Sequence, residues 1–236
     1  MTVVALVGNP REGSRTLTVA TRAAHAVGLR LNPADLSASA NGTSWSRVSG
    51  NGTVGGGSAE FGSAEFGSAE FGSAELGAAE PNGAPGAGRS YEVVDLSALG
   101  PHLLAPGAHP GVEVALELVR EASVLVVASP TYKGTYTGLL KSFLDRLPPQ
   151  ALAGTAALPL LVMGDAKHAL AVEVHLRPLL VELGASVPTP GLAFLEADFP
   201  RLEEVVAAWT DRIAPQVRAI TALRPAASAA ASRSPA

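Results

Sequence analysis

The chain has 236 residues, 47% hydrophobic and 16% charged, with a formal net charge of −4. That is enough apolar sequence for one sizeable core, and the acidic balance, with no basic window interleaved with aromatics, argues against nucleic acid as a partner. With no cysteine in the chain, disulfides, thiolate nucleophiles and cysteine-based zinc sites are excluded, which fits a cytoplasmic protein, and the longest uncharged apolar stretch, Ala151 to Gly164, is too short to span a membrane.

The apolar run Val3-Val4-Ala5-Leu6-Val7 predicts a strand over 2–8, and helical spacing follows over 14–28. Between them lies GNPREGSRT, Gly8 to Thr16. One reading is a capped turn, in which Ser14 or Thr16 accepts from an early helix amide and the glycines ease the bend. The other is an anion site. A helix start offers free N–H groups and a positive dipole end, and Arg11 and Arg15 would add charge to it. Spacing limits which anion. Gly8 and Gly13 stand as in GxxxxGK[ST], but Ser14-Arg15 replaces the required Lys-Ser/Thr, and GxGxxG is absent. A single phosphate such as that of FMN is left.

Residues 38–89 are rich in Gly, Ser, Ala, Asn and Pro and contain GSAEF-GSAEF-GSAEF-GSAEL over 57–76. A period of five gathers Phe61, Phe66, Phe71 and Leu76 on one side of neither a helix nor a strand. The sequence therefore predicts a disordered insert before the second strand, either a tolerated loop expansion or a segment whose phenylalanines dock on a partner. The stretch from 223 to 236 reads as a loose tail.

Further strands are predicted at 91–96, 123–129, 157–163 and 186–194, and helices at 111–121, 135–147, 167–184 and 200–221. Strand and helix alternate, and Val124-Leu125-Val126-Val127-Ala128 is continuously apolar, as in a parallel strand covered on both faces. The expected fold is a flavodoxin-like α/β three-layer sandwich. Its single domain is formed by 1–37 and 90–222, with five parallel strands in the order 2-1-3-4-5. Such a sheet binds ligands beyond the C-terminal ends of strands 1 and 3. There the sequence reads SPTYKGTYTG, Ser129 to Gly138. It is a turn with a capping threonine or, opposite GNPREGSRT, a wall of amides, glycines and an aromatic suited to a planar ring. His168 and His175 are spaced seven apart, which permits metal ligation, but surface or interface positions are the simpler expectation.

Gly8-Asn9-Pro10-Arg11 with Ser14-Arg15-Thr16, the block SPTYKGTYTGLLKSFLDRLP from Ser129, and LPLLVMGDAKHALAVEVHLRPLL from Leu158 resemble the NADPH-dependent FMN reductase family. The similarity is greatest to the reductases that supply reduced flavin to alkanesulfonate monooxygenases. It implies that Pro10, Arg11, Ser14, Arg15 and Thr16 surround the FMN phosphate and that Pro130, Thr131, Tyr132, Lys133 and Gly134 line the ribityl chain and ring. Gly164 and Asp165 would flank the ring from the other side; the carboxylate of Asp165 departs from the family pattern. The implied activity is hydride transfer from NADPH, or NADH, to FMN, in a homodimer or homotetramer that can feed a flavin-dependent monooxygenase. The alternatives are a flavoprotein that retains FMN and reduces quinones, azo dyes or metal oxyanions, and an inactive binding or scaffold protein.

Overall fold

The computed structural model describes residues 1–31 and 91–223. The predicted insert, 38–89, and almost all of the C-terminal tail lie outside the described residues. Within them the chain runs β1 (Val3–Val7), α1 (Arg15–Leu31), β2 (Glu92–Asp95), a short α2 (Gly100–Leu103), α3 (Pro110–Glu121), β3 (Val124–Pro130) and α4 (Gly138–Leu144). It continues with β4 (Ala156–Met163), 3-10 and π turns at Ala166–His168 and Val172–Leu176, α5 (Arg177–Glu182), β5 (Leu192–Leu195), a 3-10 segment at Glu196–Arg201 and α6 (Leu202–Ala222).

All four ladders are parallel, and the strand order is 2-1-3-4-5. Because side chains alternate along a strand, each apolar run feeds both faces. Val4, Leu6, Leu125 and Val127 pack with α3, α4 and α5, while Val3, Ala5, Val7, Val124, Val126 and Ala128 pack with α1 and α6. Large side chains such as Phe143 and Phe194 are wholly buried, each contributing about 1.5–3 kcal/mol of hydrophobic stabilisation.

Three predicted elements are corrected. The helix expected over 167–184 is broken into the 3-10 turn, the π turn and α5. Pro178 has no N–H to offer the Val174 carbonyl and its ring crowds that position. The chain widens just upstream, where the Arg177 N–H bonds Val172 O, five residues back. The strand expected over 186–194 starts only at Leu192, paired with Leu160. Pro188 and Pro190 cannot donate to a ladder, so only Ser186 makes an isolated bridge, to Ala156. The helix expected over 135–147 begins at Gly138, because the residues before it form a tight hairpin.

Candidate functional site

β1 and β3 are neighbours in register, Val7 opposite Ala128, yet their following helices pack on opposite faces of the sheet. The crevice between the departing loops is the switch point. Ser14 caps α1 through its hydroxyl, which accepts from Leu17 N at 3.2 Å. Asn9, buried behind the loop, accepts from Arg11 N at 2.9 Å and donates to the Thr16 hydroxyl at 3.0 Å. These bonds hold the turn open. The N–H groups of Glu12, Gly13, Arg15 and Thr16 have no acceptor among the described residues. Gly13 lies at φ +62 with open space around its Cα, a conformation that favours glycine.

Pro10 and Arg11 are exposed, Ser14 is half-buried and Thr16 is buried. Arg15 is exposed and its guanidinium contacts Glu196 at 3.2 Å. The cap reading thus holds for Ser14, and the same turn presents the donors that an anion needs.

The second loop leaves β3 at Pro130, which is buried as the last strand residue. Tyr132 and Thr135 pair across a two-residue turn, with Lys133 at φ 54 and Gly134 at φ 85. Both central residues are left-handed, the requirement of the tightest hairpin turns. For Lys133 this conformation costs energy, a feature that collects at ligand-binding loops. The Lys133 and Gly134 N–H groups find no acceptor among the described residues, and the Thr131 hydroxyl is buried without a partner. Tyr132 is 41% exposed.

One side chain ties the two loops together. Thr137, buried, caps α4 by accepting from Leu140 N at 3.1 Å and donates to the Gly8 carbonyl at 2.5 Å. Gly8 in turn donates to Ala128 O, and Thr137 N donates to the Ser129 hydroxyl. A Cβ on Gly8 would stand 2.5 Å from Leu140 Cβ, so the close approach of β1 to α4 requires glycine here. Asn9, Ser129 and Thr137 were not among the expected site residues. The pattern Asn-Pro and a threonine three residues ahead of an apolar helix residue are the signals that could have found the first and last.

Gly164 and Asp165 follow β4, beside the end of β3. Asp165 caps the 3-10 turn and pairs with Lys167 at 2.7 Å. The hydrogen bond from Lys167 holds its carboxyl below the usual carboxylate range. A cleft of about 370 Å³ lies next to the hairpin, lined by Gly134 and by Lys167, His168, Leu170, Ala171, Val174 and His175. His175 is exposed and His168 half-buried, both on its wall. The structure therefore gathers the loops after β1, β3 and β4 at one end of the sheet. Their donors, cations and one orphaned hydroxyl form a set able to accept an anionic, hydrogen-bonding ligand, so the residues present fit a flavin mononucleotide.

The sheet order and the switch-point crevice define a protein of the flavodoxin-like class. The chain belongs to the NADPH-dependent FMN reductase family, whose sequence profile matches residues 61–199, a span that holds the second loop and the Gly164 turn. It is 43% identical over 76 residues to an FMN reductase (NADPH) of Escherichia coli, covering 32% of this chain and 40% of that protein. Against an FMN reductase (NADPH) of Pseudomonas aeruginosa it is 37% identical over 112 residues, covering 47% and 60%. The chain thus spans about half the length of the curated relatives it matches. Among solved structures, the apo form of an NADH:FMN oxidoreductase (EMOB) superimposes with a TM-score of 0.63 at 26% identity, covering 95% of this chain and 91% of that one. Among the described residues no helix is long and apolar enough to cross a membrane.

Proposed function

We propose that the chain is an NAD(P)H-dependent FMN reductase. The observation that carries this reading is the pair of loops locked together by Thr137 at the switch point, with free amides on both walls. FMN, when bound, supplies the hydride chemistry, so no catalytic acid or base is required of the protein. The chain's task is to bind, orient and exclude.

The amides of Gly13, Arg15 and Thr16, the Ser14 hydroxyl and the guanidinium groups of Arg11 and Arg15 hold the phosphate, with Pro10 shaping the turn. Thr16 accepts from Asn9 and keeps its own proton for donation. Pro130, Thr131 and Tyr132 would line the ribityl chain and ring, and the free amides of Lys133 and Gly134 would be donors for it. Gly164 leaves room on the other side, where Asp165 is already paired with Lys167. The names of the relatives support NADPH or NADH as the reductant. A reaction that consumes these nucleotides belongs in the cytoplasm, where they are regenerated.

Leu170, Val174 and Val181 are 71%, 56% and 53% exposed on the segment after β4. Exposed aliphatic side chains of this kind support self-association as a homodimer or homotetramer. Reduced FMN released from an open site would serve a flavin-dependent monooxygenase. The test is NADPH and NADH oxidation, followed by absorbance, with FMN, FAD and riboflavin as acceptors. Turnover with FMN is expected; no oxidation at saturating FMN overturns the proposal.

A further inference from the structure

Arg15 does not wait free in the crevice. Its Nη1 donates to Glu196 Oε2 at 3.2 Å, and its guanidinium carbon stands 5.8 Å from the centre of the Phe199 ring. Phe199 is held edge-on by Phe194 of β5, 6.5 Å between ring centres, so the aromatic seat is fixed by the core. Asp198, the other acid in this short segment, is already paired with Arg201 at 2.6 Å. Glu196 is therefore the acid that the end of β5 presents to the start of α1.

The geometry points to Glu196 as a positioning residue that weakens FMN binding. It seats the Arg15 side chain on Phe199 and places a carboxylate beside a cradle meant for a phosphate. The inference rests on the phosphate reading of the Gly8–Thr16 turn. An incoming phosphate must share or displace the Glu196 partner and meets a like charge at the rim. Flavin affinity is thereby set for exchange, as a reductase that uses FMN as a diffusible substrate requires. Both side chains are substantially exposed, 62% and 45%, so the effect is moderate and screened by salt.

The test is Glu196→Gln, which keeps the side chain's shape, with FMN and riboflavin titrations followed by flavin fluorescence at low salt. The variant is expected to bind FMN about two- to tenfold more tightly. Riboflavin, lacking the phosphate, should bind both proteins equally. FMN preference in the wild type with unchanged or weaker FMN binding by the variant overturns this inference alone. Equal affinity for FMN and riboflavin in both the wild type and the variant overturns it together with the phosphate cradle.

Discussion

Replacing Thr137 by valine removes a hydroxyl without changing the side chain's shape. Two buried groups lose their partner: the Gly8 carbonyl, which accepts from Thr137 at 2.5 Å, and Leu140 N–H, which donates to it at 3.1 Å. An unsatisfied buried polar group costs about 1–3 kcal/mol and loss of a helix cap about 0.5–2 kcal/mol. Because the Leu140 bond is itself the cap, the two figures overlap, and the expected loss is about 2–4 kcal/mol. For a domain of this size each kcal/mol lowers the melting temperature by about 2–4 °C, so a drop of about 5–15 °C is expected. Thermal unfolding followed by circular dichroism measures it. Thr137→Ser keeps the hydroxyl and loses one methyl, a cost of about 1 kcal/mol. A valine variant as stable as the serine variant would refute the reasoning, because then the hydroxyl holds nothing. Flavin affinity should fall in the valine variant, since the same bond fixes the two walls against each other.

Arg15→Ala is expected to weaken FMN binding by about 1.5–3 kcal/mol through loss of a charge-assisted contact to the phosphate, with isothermal calorimetry as the check. At Glu173, burial raises the carboxyl, but the Arg177 hydrogen bond, the Gly191 N–H and the Arg177 charge outweigh it, so the pKa lies below its ordinary 4.5. A carboxyl lowered in the folded state stabilises the fold above its unfolded pKa, and that contribution is lost as pH falls through the folded value. Urea midpoints of the wild type should therefore fall more steeply below pH 4.5 than those of Glu173→Gln; parallel profiles would show that the pair is not coupled to folding. Deleting residues 38–88 should leave a folded protein with flavin reduction nearly intact. Residues 1–31 and 91–223 already cover both faces of the sheet, and loss of soluble protein would contradict this.

Much of the architecture was legible along the chain. β1 and most of β3 are apolar runs, as a doubly covered parallel strand needs; the parallel sheet followed from the alternation with helices, and the order 2-1-3-4-5 from the flavodoxin-like pattern. The Ser14 cap was legible too, because an N-cap is a local bond between residues three apart. The π turn and the late start of β5 were not, although Pro178, Pro188 and Pro190 marked both places. Hydrophobic spacing outweighed them, since a proline states that a donor is missing but not how the neighbouring chain will compensate.

At the site the division is sharper. The sequence by itself determined which loops carry donors and which turns can be tight, because cap preferences, left-handed glycines and charge are local properties. It could not determine that Thr137 would reach the Gly8 carbonyl, 129 positions away, or that Glu196 would meet Arg15 across 181. Those contacts exist only because parallel strands bring the C-terminal ends of β1, β3 and β5 to one end of the sheet, where side chains far apart in sequence become neighbours.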